Sequence, residues 1–193
     1  MSSVGIIGGT FDPVHFGHLI TAQSVKEIRN LERIIFIPCN ISPHKKENHA
    51  ENSRHRYEMI RSALQEVKGF EVSDFEINKG GISYTVDTLK KFRKEFAEIE
   101  LIIGFDNLLK FDSWKNPDEV LKLAKLVVMK RKIDRVPKEK NKYYDKAIIV
   151  NTPLIEINAT EIRQRVKDGL PIDFLVPETV KEYIYNFKLY GIN

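Results

Sequence analysis

Two histidines three positions apart, His15 and His18, follow an apolar run and a glycine pair in Val4-Gly5-Ile6-Ile7-Gly8-Gly9-Thr10-Phe11-Asp12-Pro13-Val14-His15-Phe16-Gly17-His18. The run reads as a strand, the glycines as a tight turn and the amphipathic residues that follow as a helix. Backbone N–H groups point out of such a junction, and the helix macrodipole favours an anion there. Imidazoles at this spacing near a helix start fall on one side. They can donate to phosphate oxygens, and Gly17 between them lets backbone approach closely. The chemistry expected is work on a bound phosphate. A metal site, or a capping or core role for the pair, stays open, although no further Cys or His stands at ligand spacing. The turn is neither a Walker loop, which needs Gly-Lys-Ser/Thr, nor G-x-G-x-x-G. His44, His49 and His55 lie in or near a polar loop and read as solvated.

These residues need a scaffold. Val4–Gly8 is expected as a strand of the continuously apolar kind buried in parallel sheets. The spacing of Leu19, Ala22, Val25 and Ile28 predicts a helix over His18–Asn30, followed by a strand at Arg33–Pro38. Asn40–Asn52 is a polar loop carrying Ser42-Pro43-His44-Lys45-Lys46. Ser53 is expected to cap a helix with Tyr57, Ile60, Leu64 and Val67 on one face. A strand is expected over Phe70–Ile77, a turn at Lys79-Gly80-Gly81 and a helix over Tyr84–Phe96. Further strands are expected at Leu101–Gly104, Leu126–Met129 and Ile148–Val150. Pro117–Leu123 reads as a helix with proline in its first turn. Asn158-Ala159-Thr160-Glu161 has the form of a capping box; Gly169 and Pro171 end that helix. Pro177 opens the last helix, with Val180, Ile184 and Phe187 inward. The alternation implies a doubly wound parallel α/β sheet in one domain spanning residues 1–193, with a helical C-terminal part from about 158. Ligands bind such sheets beyond the carboxyl ends of the strands, where strand order reverses. The glycine turn lies there if the first strand is central.

A hydrophobic content of 42% over 193 residues allows a full-sized core. No apolar run approaches the roughly 20 residues that span a bilayer, and no charged-then-apolar leader opens the sequence. A cytoplasmic protein without a membrane partner is expected. The lone Cys39 agrees, because one thiol makes no internal disulfide. The net charge of +4 points mildly to anionic ligands. It concentrates between Lys130 and Lys146, where eight Lys/Arg stand against three Asp/Glu. That stretch reads as a solvated loop or a flap facing phosphate. Sparse aromatic interleaving argues against nucleic acid as a partner.

Gly8 to His18 resembles the signature of the nucleotidyltransferase superfamily with the H-x-G-H motif and, more narrowly, that of bacterial nicotinate-nucleotide adenylyltransferases. Ser83-Tyr84-Thr85-Val86-Asp87-Thr88-Leu89 resembles a mid-chain motif of that family. So does Ile103-Gly104-Phe105-Asp106-Asn107, with Phe111 and Trp114 following. Ile157-Asn158-Ala159-Thr160-Glu161-Ile162-Arg163 is similar to its C-terminal nucleotide-binding motif. One departure stands out: the family usually has two serines where this chain has Asn158 and Ala159. Asn158 can still cap, but phosphate contact at Ala159 is left to backbone N–H.

The resemblance implies a Rossmann-like nucleotidyltransferase that joins nicotinate mononucleotide to ATP, with Mg²⁺ carried mainly by the ATP phosphates and water. An anionic phosphate is already a nucleophile, so positioning and charge stabilisation suffice. His15 and His18 would be catalytic. Gly8, Gly9, Thr10, Phe11, Asn158, Thr160 and Arg163 would join them in binding ATP. Lys45, Tyr84, Thr85, Asp106, Trp114 and Arg131 would bind the mononucleotide. Trp114 would stack on the pyridine, and N–H groups at the Tyr84–Thr85 helix start would favour a carboxylate over a carboxamide. Each has a plainer reading: a structural Trp114, a helix-capping Asp106, an ion-paired Arg163, a solvated Lys45. The rivals are another H-x-G-H adenylyltransferase, for phosphopantetheine or nicotinamide mononucleotide, and a nucleotide sensor without turnover. A homo-oligomer is left open.

Overall fold

Val4, Gly5, Ile6 and Ile7 are all buried in the first strand, β1 (Ser3–Gly9). Burial on both faces demands helices on both sides of a parallel sheet. The computed structural model, which describes residues 3–43, 51–130 and 140–191, has that architecture. Helix α1 (Phe16–Arg29) leads to β2 (Arg33–Pro38), and α2 (Ser53–Leu64) to β3 (Phe70–Val72). Helices α3 (Phe75–Lys79) and α4 (Thr85–Phe92) precede β4 (Glu98–Gly104); α5 (Phe105–Leu109) and α6 (Pro117–Leu123) precede β5 (Lys125–Lys130). Then come β6 (Ile148–Asn151), α7 (Ala159–Lys167), α8 (Glu178–Asn186) and a 3₁₀ turn at Leu189–Gly191. The six strands are parallel in the order β3-β2-β1-β4-β5-β6. That is the doubly wound Rossmann order, and it reverses between β1 and β4.

Side chains alternate across the strands. Ile7, Ile34 and Phe36 join Val25, Ile60, Ile162 and Ile184 on one face. Ile6, Ile35 and Ile37 join Leu89, Leu108 and Val120 on the other. Among the described residues no helix is long and apolar enough to cross a membrane.

Several expected elements are redrawn. Pairing of β3 with β2 stops at Val72. The Ser73 hydroxyl then accepts from the Phe75 N–H at 3.2 Å and turns the chain into α3, so Phe70–Ile77 is not one strand. A local side-chain hydrogen bond here outcompetes the ladder. Helix α4 ends at Phe92, where the Glu95 and Phe96 N–H groups both turn onto the Phe92 carbonyl, instead of running to Phe96. Asn52, not Ser53, caps α2: its side chain accepts from the Arg54 N–H at 2.9 Å, while the Ser53 hydroxyl donates to Asn40. The buried face of α2 is Arg56, Met59, Ile60 and Leu64; Val67 lies past its end and is exposed. Ile28, in the last turn of α1, is exposed as well. Phe187 follows α8, largely exposed, with its ring against Tyr183 and His55. His55 is thus half-buried, its Nδ1 3.0 Å from the Tyr183 hydroxyl, and is not a solvated histidine. His44 and His49 lie outside the described residues.

Candidate active site

β1 pairs with β2 as far as Gly9–Pro38, but with β4 only as far as Ile7–Ile102. The sheet therefore splits beyond Ile7, and a crevice opens beside the glycine turn. A cavity of about 390 Å³ opens on one side and one of about 500 Å³ on the other, and Thr10 lines both. A Cβ added at Gly8 would meet nothing within 4 Å, so the first glycine leaves bare backbone facing open space.

The larger cavity holds the histidines. His15 is the N-cap of α1 and His18 sits in its first turn. Their rings stack with centroids 3.7 Å apart, and Phe11 packs edge-on against His18 at 5.0 Å. Sterics account for Gly17, because a Cβ there would lie 2.9 Å from His15 Nδ1. The glycine makes room for the His15 ring, two residues before it. Burial lowers the pKa of His15 to about 4; burial, then the neighbouring His15, lowers that of His18 to about 3. Both rings are neutral donors at pH 7 until an anion arrives to raise their proton affinity. The His15 N–H reaches His18 Nδ1 at 3.4 Å, which leaves the His18 proton on Nε2.

Thr10, Phe11, Asp106, Asn158, Ala159, Thr160 and Arg163 line the same cavity. Asn158 caps α7 through Oδ1, which accepts from the Glu161 N–H at 2.8 Å. The reciprocal half of the expected capping box is replaced by Asn158 Nδ2 donating to the Glu161 carboxylate at 3.4 Å. Arg163 Nη1 donates to the Asp12 carbonyl at 2.7 Å, and Nη2 to the Thr160 hydroxyl at 3.3 Å. Arg163 is thus tied to the glycine turn, with its Nη1 also 3.9 Å from the buried Asp12 carboxylate, and its ion-pair partner is buried, not on the surface. Asp106 lies in the first turn of α5, whose N-cap is Gly104, so it is not the cap. Although grouped by sequence with Trp114, it faces the histidine cavity.

The smaller cavity is lined by Gly8, Gly9, Tyr84, Thr85, Trp114 and Lys115 among others. Trp114 is half-buried, its ring 5.1 Å from Phe111. Tyr84 is the N-cap of α4, so the first N–H groups of that helix have no partner within it. Lys115 Nζ lies 4.2 Å from the Tyr84 ring centroid. Glu76 is buried in this wall and accepts from the Thr88 hydroxyl at 2.5 Å. Burial pushes its carboxyl pKa up, against the pull of hydrogen bonds from Thr88 and Ser83. The Ser83 hydroxyl in turn accepts from the Asn40 N–H at 2.9 Å. Lys45 and Arg131 lie outside the described residues, as does most of the basic stretch after Lys130.

Sequence reading missed Arg56, which is 2% exposed. Its guanidinium donates only to carbonyls among its oxygen acceptors here: Glu51 at 3.0 Å, Thr10 at 2.8 Å, Cys39 at 2.7 Å and Asn40 at 3.2 Å. It ties the glycine turn to the end of β2. Cys39 is part of this knot and lines the smaller cavity. A signal existed: Arg56, Ile60 and Leu64 recur every four residues on α2, but an arginine does not advertise a buried face.

Stacked neutral donors, a capped helix and an arginine around one cavity suit the holding of a phosphate chain. The second cavity, with its aromatic wall, opens from the same turn. Residues 6–165 match the model of the family described as Cytidylyltransferase-like, which sets the class. A Thermoanaerobacter protein named "Probable nicotinate-nucleotide adenylyltransferase" is 40% identical over 97% of this chain and 93% of its own length. A protein of the same name from Clostridium beijerinckii is 39% identical over 98% and 100%. The solved nicotinic acid mononucleotide adenylyltransferase of Plasmodium falciparum, complexed with NaAD, covers 100% of this chain with 99% of its own at a TM-score of 0.81. At 18% identity that likeness speaks for the fold. The chain belongs to the nicotinate-nucleotide adenylyltransferase family of nucleotidyltransferases.

Proposed function

We propose that the protein transfers the adenylyl group of ATP to nicotinate mononucleotide, giving deamido-NAD and pyrophosphate for NAD biosynthesis. The observation that carries the reading is the pair of unlike cavities meeting at Thr10, at the switch point of the sheet. ATP occupies the histidine side and the mononucleotide the Trp114 side. A phosphate oxygen of the mononucleotide attacks the α-phosphorus in line, that bond forms as the bond to the β-phosphate oxygen breaks, and pyrophosphate leaves. His18 Nε2–H and His15 hold the charge that develops, while backbone at Gly8, Gly9 and Phe11 and the Thr10 hydroxyl hold phosphate at the turn. Asn158, Thr160 and Arg163 hold the triphosphate, and Asp106 accepts from the adenosine side. Trp114 stacks on the pyridine. The Tyr84–Thr85 helix start binds its carboxylate, and Lys45 and Arg131 bind the mononucleotide.

Mg²⁺ enters with ATP in this reading. Among the described residues no three His, Cys, Asp or Glu converge on a common point. Mg²⁺ would keep phosphate and water oxygens as most of its ligands. Bound there, it would neutralise phosphate charge and orient the chain, with Asp106 the carboxylate at hand.

Pyrophosphate release with ATP and a panel of acceptors tests the proposal. Nicotinate mononucleotide should turn over well ahead of nicotinamide mononucleotide and phosphopantetheine. Equal or reversed preference contradicts the substrate assignment, and ATP binding without turnover of any acceptor favours the sensor.

A further inference from the structure

The last turn of the chain reaches back to the first motif. Asp12 is 4% exposed, and its Oδ1 accepts from the Tyr190 hydroxyl at 2.8 Å. Its Oδ2 accepts from the Glu51 N–H at 3.3 Å, and the Tyr190 N–H donates to the Glu51 carboxylate at 3.2 Å. On the cavity side, the Arg163 nitrogen that donates to the Asp12 carbonyl lies 3.9 Å from Oδ2, outside hydrogen-bond range. Tyr190 is held at a φ of 63°, and the adjacent Leu189 is anchored in the core. A tyrosine 178 positions away thus supplies the hydroxyl that satisfies a buried carboxylate of the phosphate turn.

We infer that Tyr190 is a positioning residue for the triphosphate: by satisfying Asp12 it keeps the Arg163 guanidinium from closing onto that carboxylate and leaves it turned to the cavity. The inference rests on the reading that the histidine cavity takes ATP. A buried carboxylate that loses its donor must find another, because leaving it unsatisfied is costly. A side-chain donor stands close by, Arg163, whose Nη1 is 3.9 Å from Oδ2. Without the hydroxyl the arginine is drawn inward and the phosphate chain loses a charge-assisted hydrogen bond. The Trp114 cavity takes no part in this network.

The test is Tyr190→Phe, which keeps the ring and removes the hydroxyl, with KM for ATP and for nicotinate mononucleotide measured separately. KM for ATP should rise about tenfold, the worth of one hydrogen bond to a charged group, while KM for the mononucleotide stays within about twofold. Adding Asp12→Asn removes the charge that captures Arg163, so the double variant should recover part of the ATP affinity. A merely structural role would lower the melting temperature or the active fraction without splitting the two KM values, and no split overturns the inference. So does a double variant worse for ATP than Tyr190→Phe alone. Should the wild-type protein release no pyrophosphate, the functional reading falls on its own. Calorimetric titration with inorganic tripolyphosphate then judges the latch: weaker binding to folded Tyr190→Phe supports it, and equal affinity, or no binding to either protein, overturns it.

Discussion

His15 and His18 do their proposed work as neutral donors, because burial holds both rings uncharged until the anion binds. His18→Ala should therefore fold and lose about 10²–10³ in kcat, as removal of one oxyanion donor does. Circular dichroism beside turnover checks this; normal turnover in a folded variant removes the histidine mechanism. The same pair sets a pH dependence of stability. In the unfolded chain both imidazoles titrate near 6.5, and in the folded chain near 4 and 3. The unfolded state binds more protons across that window, so their contribution is full above about pH 6.5 and is lost as pH falls through the folded values. Melting curves from pH 7 to 4 should fall more steeply for the wild type than for a His15→Asn/His18→Asn variant. Parallel curves would contradict it. Trp114→Ala should weaken mononucleotide binding and leave ATP binding alone; selective loss of ATP affinity would reassign the ring. The pairing of the two rings at the start of α1 was legible from their spacing of three beside the glycines, and the capping role the sequence left open is the one His15 fills. Asp12 and Arg56 were not: they work through carbonyls and a distant tyrosine, partners that a linear reading does not bring together.

Elements hold these residues through a few buried polar joints. Glu100 on β4 is 3% exposed and accepts from Arg29 Nε and Nη2, at 2.9 and 2.8 Å, from the last turn of α1. Arg29→Met would leave that carboxylate unpaired against the helix that carries the histidines. Breaking a buried pair costs about 3–5 kcal/mol. Because the Arg29 side chain is 27% exposed, water can replace part of the interaction, and the lower end, about 3 kcal/mol, is expected. Urea unfolding with an unchanged slope measures it, and a cost under about 1 kcal/mol, the range of surface pairs, contradicts it. Arg33–Pro38 and Pro117–Leu123 were legible to the residue, one from β-branched content stopped by proline and the other from proline at a first turn. The Phe70–Ile77 segment was not, because its alternation fits a strand until the Ser73 hydroxyl claims the Phe75 N–H. The smaller cavity depends on that turn, since α3 carries Glu76 to the wall behind Tyr84 and Thr85.

The molecule as a whole places two unlike cavities on either side of one turn. We read it as one domain. Ile162, Val166, Ile172, Val180 and Ile184 of the helical C-terminal part share a core with Ile7 and Phe36 of the central strands. The doubly wound order was legible from the alternation of strands and helices. The division of the site was legible only in part. Asp106 and Asn107 are neighbours in sequence, yet they face different cavities at the start of α5. Asn158–Ala159 leaves the cap of α7 intact, so its departure from the family's two serines falls on side-chain donation to phosphate and not on the helix. The central claim is that the glycine turn holds the polyphosphate of ATP against both imidazoles. A crystal structure with a non-hydrolysable ATP analogue tests it most directly: phosphate oxygens should lie within hydrogen-bond distance of His18 Nε2 and of the Thr10–Phe11 backbone. A triphosphate seated elsewhere, out of reach of both rings, would contradict it.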